Sequence, residues 1–517
     1  MANKNLFKTL AGKLIPRTNA VNSEFAPAYA FTPKHALAQY VATGCMNSTF
    51  YVSAEDQLET VLKLANQVEP EFVAKVALFC RTKGHMKDPP ALLCAVLSVR
   101  SPGLLAEVFD RVIDSPKMLR NFVQIMRSGQ VGRKSLGTLP KRLVVRWIEN
   151  RSDEQLFCGS VGNDPSLADV VKMVHPKPAT KSRQALFGYL IGREFVPTEL
   201  PEIVQRYEAF KSGVSAEMPD VPFQMLTSLN LKPEHWNAIA RNASWQMARM
   251  NLNTFARHGC FAHQGLVRDV AEKLRDAGQI GKARVFPYQL MAAFMNVGAD
   301  VPHEITEALQ DAMEIALRNV PEIPGKVYVF PDVSGSMKSP VTGVRKGATT
   351  AVKCADVAAL IAAAVLRKNP RAEVIPFETD VVPLKLNSRD SVMTNAAKLA
   401  SVGGGGTNCS APLKLLNSRK AAGDVVIYVS DYESWVDAKA GRGTATMEQW
   451  NVFKGRNPQA KLVCIYLAPN QTTQAAEAAD ILNVGGFSDQ VFEVVSQFAD
   501  GTLHAAHWVG VIEATRI

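Results

Sequence analysis

Between about residue 53 and residue 320, apolar positions recur at helical spacing almost without a break. Leu58, Val61, Leu62 and Ala65 fall at i, i+3, i+4 and i+7, one face of a helix. Ser53, three residues before Asp56, is placed to cap it. Phe72, Val76, Phe79 and Cys80 repeat such a face, and Leu105, Val108, Phe109 and Val112 repeat it again. Proline and glycine punctuate the runs, at Gly84, Pro89-Pro90, Pro102-Gly103, Pro116, Gly129, Pro140, Pro165 and Pro176. Short amphipathic helices in series cannot each bury a face alone. The pattern therefore predicts stacked helix pairs, an array of HEAT-like repeats without a strict sequence period.

At Pro321 to Gly325 the pattern changes. Lys326–Phe330, Ala372–Phe377, Asp424–Val429 and Leu462–Leu467 read as buried strands. Helices over Val352–Leu366, Ala411–Leu416, Met447–Phe453 and Val491–Phe498 alternate with them. Strands alternating with helices predict right-handed crossovers and a doubly wound parallel sheet. The expected organisation is an all-α domain over residues 1–325 and an α/β domain over residues 326–517.

A chain of 517 residues is too long for one core, which agrees with that division. The longest apolar run, Val357–Leu366, is too short to cross a bilayer, and no signal peptide is readable behind the basic N-terminus. Eight scattered cysteines include no CxxC pair, so neither zinc nor disulfides are expected, and a cytoplasmic location is. The net charge, 58 − 48 = +10, is uneven. Residues 1–150 hold 20 basic against 11 acidic residues. Pro116–Arg146 carries Lys117, Arg120, Arg127, Arg133, Lys134, Lys141, Arg142 and Arg146 with no acid. A second acid-free window, Val170–Arg193, carries Lys172, Lys177, Lys181, Arg183 and Arg193. Two such windows suggest a polyanion partner; a merely solvated face is the plainer alternative. His175, at a helix end, reads either as a capping or core residue or as a contact to the polyanion.

The sharpest chemistry stands where the first C-terminal strand ends, in Asp332-Val333-Ser334-Gly335-Ser336. Ligands of open α/β sheets bind at the carboxyl ends of strands. Asp332, Ser334 and Ser336, at alternate positions, can turn three oxygens toward one point, which suits Mg²⁺ or Mn²⁺. Thr407, after the run Gly403–Gly406, and Asp431, after a later strand, add two more oxygens. The five positions in this order resemble the metal-ion-dependent adhesion site of von Willebrand factor A domains. That resemblance implies that Ser334, Ser336 and Thr407 coordinate an ion, with Asp332 and Asp431 acting partly through water. Hydroxyls that only cap the next helix are the plainer alternative. No His or Lys is placed as a general base, so a binding role is expected rather than an enzyme.

A helical array in front of such a domain resembles the Ro autoantigen family, whose helical part is the TROVE module. Ser166-Leu-Ala-Asp169-Val-Val-Lys172-Met-Val-His175-Pro-Lys177-Pro178 is similar to the family's Ser-His-Lys-Asp-Leu-Leu-Arg-Leu-Ser-His-Leu-Lys-Pro. Arg127-Ser-Gly129 with Gly132-Arg133-Lys134-Ser135-Leu136, and Lys282-Ala-Arg284-Val-Phe-Pro287-Tyr288, resemble two further segments. Leu167 and Ala168 depart from the family's His and Lys, and Met250-Asn-Leu-Asn253 from its Arg-Asn-Leu-Gly. The resemblance implies a ring of repeats closed by the von Willebrand A domain. Single-stranded 3′ ends of defective non-coding RNAs would thread it, small Y RNAs would bind its outer face, and exoribonucleases would be partners in RNA quality control. The RNA contacts expected are Arg127, Arg133, Lys134, Arg142, Arg146, Lys172, His175, Lys177, Lys181 and Arg183. The competing reading is a metal-dependent protein–protein adaptor with the helices as scaffold.

Overall fold

In the computed structural model, residues 15–283, 287–317, 320–344, 352–438, 443–503 and 507–517 are described. The basic N-terminal stretch and Arg284, in one of the family-like segments, lie outside them. The chain is mostly helical through its N-terminal part and ends in a domain built on a parallel sheet. Among the described residues, no helix is long and apolar enough to cross a membrane.

Two compact units are present, and their boundary does not follow residue 325. One unit comprises residues 65–285, 293–312 and 515–517; the other comprises residues 1–64, 286–292 and 313–514.

The helical unit is built as its periodicity predicts. The helices Pro70–Thr82, Asp88–Arg100, Pro102–Val112, Pro116–Ser128 and Thr138–Glu149 follow one another through short connections. Proline opens several of them at a first-turn position, where its missing N–H costs nothing. Phe72, Val76, Phe79, Cys80, Leu105, Val108, Phe109 and Val112 are all buried. The Trp147 indole donates to the Ile113 carbonyl and ties one helix pair to the next. The helix Ala54–Gln67, whose residues up to Leu64 belong to the other unit, starts at the expected cap: the Ser53 hydroxyl accepts from the Asp56 N–H at 3.0 Å. Its buried face is Gln57, Val61, Leu64 and Ala65, a slight rotation from the one read in the sequence, which leaves Leu58 and Leu62 half-buried.

The other unit holds eight strands among the described residues: β1 (Ala20–Val21), β2 (Pro27–Ala30), β3 (Val327–Pro331), β4 (Glu373–Val374), β5 (Val425–Ser430), β6 (Lys461–Tyr466), β7 (Thr472–Thr473) and β8 (Ile481–Gly485). Five form a parallel sheet in the order β4-β3-β5-β6-β8. Every residue of β3, β5 and β8 is buried, as continuous apolar strands of parallel sheets usually are. The expected strand Ala372–Phe377 contracts to two residues at the sheet edge, although the Ile375 and Phe377 N–H groups still donate to the Val329 and Pro331 carbonyls of β3, with Pro376 between them on the free edge. The strand β8 and the helix Val392–Ala400 were not read from the sequence.

Residues 15–64 join this unit through backbone pairing. Strands β1 and β2 form an antiparallel hairpin, and β2 pairs with β7 through Tyr29 opposite Thr473. The helix Pro33–Thr43 packs against β8 and is buried from His35 to Thr43. Gln39 reaches from it to the Ala468 carbonyl. These contacts span more than four hundred residues of sequence, which is why periodicity alone placed the segment with the helices that follow it.

Candidate metal centre and nucleic-acid interface

The order of the parallel sheet sets the position of the first site. From β3 the chain goes to one side, to β4, and then back past β3 to β5 on the other. The crevice between the ends of β3 and β5 is a topological switch point, where open sheets bind ligands. Asp332 immediately follows β3 and Asp431 immediately follows β5. The five residues expected at the adhesion site are all buried there: Asp332 is 0% exposed, Ser334 0%, Ser336 6%, Thr407 2% and Asp431 3%.

Hydrogen bonds bring three of them together directly. The Ser334 N–H donates to Asp332 Oδ1 at 2.8 Å, and the Ser334 and Ser336 hydroxyls lie 3.3 Å apart. The Ser336 side chain also lies close to the Asp431 carboxylate. Ser430, which the sequence reading passed over, donates its hydroxyl to Asp332 Oδ2. The glycine run brings Thr407 into place. Gly403 and Gly404 take φ of +84° and +122°, and a Cβ on Gly403 would meet the Val333 carbonyl at 2.3 Å, so only glycine passes. Gly335 N–H donates to the Gly405 carbonyl at 2.8 Å, which holds this loop against the Asp332–Ser336 loop.

The electrostatics suit a cation. Burial raises the carboxyl pKa of Asp332, and the neighbouring Asp431 carboxylate raises it further; Asp431 is raised by burial in turn. Glu433 is pushed up to about 8 by burial and by Asp431, while it accepts from the Ser23 N–H at 2.7 Å. Two confined carboxylates with the Ser334 and Ser336 hydroxyls beside them, and the buried Thr407 on the facing loop, form an all-oxygen donor set that fits Mg²⁺ or Mn²⁺. Asp332, Ser334, Ser336, Thr407 and Asp431 are the residues that would hold the ion.

The second site lies in the helical unit. The helices Pro116–Ser128 and Thr138–Glu149 border an open groove of about 1010 Å³. Arg127, Lys134, Lys141, Arg142 and Arg146 line it, against the single acid Glu149. Leu139, Leu143 and Met173 give it an apolar floor. Arg127 donates to the Met173 sulfur at 2.9 Å, which links the first basic window to the helix that carries Lys172. Arg146 pairs with Asp110 at 2.8 Å, both partners roughly half-exposed. Such a surface pair is worth about 0–1 kcal/mol, so a phosphate can replace the aspartate. Arg133 is half-buried beside Gly137, near the groove but not in its lining.

The second window divides. Lys172 and Lys177 are exposed, as is Lys181, 3.7 Å from Glu199. Arg183 is of a different kind. Its guanidinium pairs with Asp153, donates to the Ile148 and Arg151 carbonyls, and lies over the Phe187 ring at 5.8 Å. Those bonds join three helices and leave the group little capacity for RNA. His175 caps the helix Leu167–Val174 in the left-handed region, φ +51°, with its N–H on the Val171 carbonyl and its ring exposed. Leu167, where the family has His, is fully buried and so serves the core.

A parallel sheet with DxSxS after β3, a glycine-led threonine and an aspartate after β5 defines a von Willebrand factor A domain. Residues 326–499 match the family model of the Ro60 vWA domain. The chain is 23% identical to the RNA-binding protein RO60 of Deinococcus radiodurans, over 96% of this chain and 99% of that one. The crystal structure of the Deinococcus radiodurans RO (RSR) protein superposes with a TM-score of 0.60 at 20% identity, covering 91% of this chain and 100% of that one, a likeness of fold. The vWA domain of residues 326–499 is thus similar to that of Ro60, and the chain as a whole is similar to RO60 over nearly its full length.

Proposed function

We propose that this protein binds RNA, and that the groove between the helices Pro116–Ser128 and Thr138–Glu149 is a principal contact surface. The observation that carries the proposal is the concentration of five basic side chains over an apolar floor in that one groove. Cations there neutralise phosphates, while the floor accepts the face of an unpaired base. The near-full-length relative named as an RNA-binding protein supports the same reading. Within it, the expected ligands are single-stranded 3′ ends of defective non-coding RNAs and structured Y-like RNAs. The protein would present these to exoribonucleases in cytoplasmic RNA quality control, as a ribonucleoprotein rather than as an enzyme. Mg²⁺ or Mn²⁺ at the adhesion site belongs to the same proposal.

Filter binding at several salt concentrations tests it. RNA with a single-stranded 3′ tail should bind more tightly than a blunt duplex. The logarithm of its affinity should fall with that of salt by roughly 0.7 per neutralised phosphate. Equal affinity for tailed RNA and blunt duplex, or binding indifferent to salt, would overturn the reading.

A further inference from the structure

The adhesion site is more enclosed than a docking point for an outside ligand should be. None of its five oxygen-bearing residues exceeds 6% exposure. The glycine loop accounts for one side of that enclosure, through the bond from Gly335 to Gly405. A segment far away in sequence, the loop of residues 47–53, accounts for another.

That loop is fastened to the chain that continues from the Asp332–Ser336 loop. The Val344 N–H donates to the Ser48 carbonyl at 2.8 Å, and the Asn47 amide donates to the Thr342 carbonyl at 2.9 Å. Gly343 takes φ +69°, and a Cβ on it would meet Asn47 Cβ at 2.7 Å and the Ser48 carbonyl at 2.9 Å. The loop is also braced from within. Thr49 N–H donates to the Val52 carbonyl at 2.8 Å, and Gln57 Nε2 to the Asn47 carbonyl at 2.6 Å. At its tip Tyr51 packs edge-on against Phe50, with ring centroids 4.8 Å apart. The Tyr51 side chain lies close to Ser336 and to the Asp431 carboxylate.

We propose that the 47–53 loop is a built-in cover of the adhesion site, in which Tyr51 takes the place that an outside ligand or water would take on a bound ion. The inference rests on the reading of Asp332, Ser334, Ser336, Thr407 and Asp431 as a divalent-cation site. On this arrangement the ion is a fastener between the N-terminal segment and the sheet, since the covering loop and the ligands belong to stretches nearly three hundred residues apart. It is not a handle for an acidic partner, as the adaptor reading requires.

Mn²⁺ alone is a sufficient probe, with full-length protein throughout. Its affinity is measured by calorimetry, and its exchangeable waters by the relaxation enhancement of solvent protons at saturating Mn²⁺. Wild type should bind Mn²⁺ with a small enhancement. Tyr51→Phe and Tyr51→Ala should still bind it, with enhancement raised by roughly twofold as one more water position opens on the ion. Ser334→Ala/Ser336→Ala should abolish binding. Equal enhancement in wild type and both Tyr51 variants, with Mn²⁺ bound in all three, would remove the cover and leave the metal site standing. Failure of wild type to bind Mn²⁺ would remove both. Tyr51→Phe keeps the ring packing, so it decides the matter if Tyr51→Ala does not fold.

Discussion

The two candidate sites handle charge in opposite ways. At the sheet ends, Asp332 and Asp431 are buried beside one another and the carboxyl of each is held above its usual range. In the helical groove, Arg127, Lys134 and Arg142 are exposed over an apolar floor. A buried like-charge pair is an energetic liability that a small cation relieves in place, with specificity set by the donor atoms. Exposed cations cost the fold little, and attract any polyanion at a strength set by ionic strength. One site is thus selective and enclosed; the other is adaptable and open.

The largest expected effect would break the open side of that comparison. Arg127→Glu/Lys134→Glu/Arg142→Glu should weaken RNA binding by roughly two orders of magnitude and flatten the salt dependence by about 0.7 for each lost phosphate contact. The melting temperature should barely move, since exposed substitutions usually stay within about 0.5 kcal/mol apiece. Unchanged affinity in a folded triple variant would mean that the groove only solvates the helices.

The enclosed side is tested through stability. Mn²⁺ at one hundred times its dissociation constant should stabilise wild type by about 2.7 kcal/mol. The increment should vanish in Ser334→Ala/Ser336→Ala, while RNA affinity stays the same, since the basic groove lies in the other compact unit. Thermal unfolding with and without Mn²⁺ reads this directly. An equal increment in both proteins would place any bound ion elsewhere.

Arg183 sharpens the comparison within the basic residues. Its guanidinium serves the fold, so Arg183→Ala should lower stability by roughly 1.5–3 kcal/mol, the range for hydrogen bonds to charged groups. Lys172→Ala/Lys177→Ala should do the reverse, leaving the melting temperature alone and weakening structured RNA. If Arg183→Ala proved neutral for stability and severe for RNA, the division between fastening and binding residues would be wrong.

The smallest effect belongs to His175. Glycine at φ +51° relieves a conformation that costs an L-residue about 1–2 kcal/mol, so His175→Gly should be slightly stabilising. RNA affinity should hold if the residue is only a cap. A clear loss in gel-shift titration would make its exposed ring a contact.

How much of this was legible in the sequence depended on the range of the interactions involved. The helix at Ala54–Gln67 announced its cap at Ser53, and β3, β5 and β6 announced themselves as apolar runs, because both signals are local. The same is true of DxSxS, whose three oxygens converge through one loop. Strand β8 escaped notice because Asn483 interrupts its apolar run; that amide oxygen is buried against the hydroxyls of Tyr466 and Thr473, partners only the fold supplies. The basic windows were visible as composition, yet Arg142 in the groove and Arg183 in its ion pair look alike in a charge count.

The sequence by itself determined the helical and parallel-sheet elements, the run of oxygen-bearing residues after the first parallel strand and the excess of positive charge, because periodicity, turn chemistry and charge act over a few residues. Tertiary structure alone decided which cations stay free, that residues 15–64 pack on the C-terminal sheet, and that Tyr51 meets Ser336. Those outcomes depend on pairing between stretches hundreds of residues apart, where backbone ladders and buried surface, rather than neighbouring side chains, select the partner.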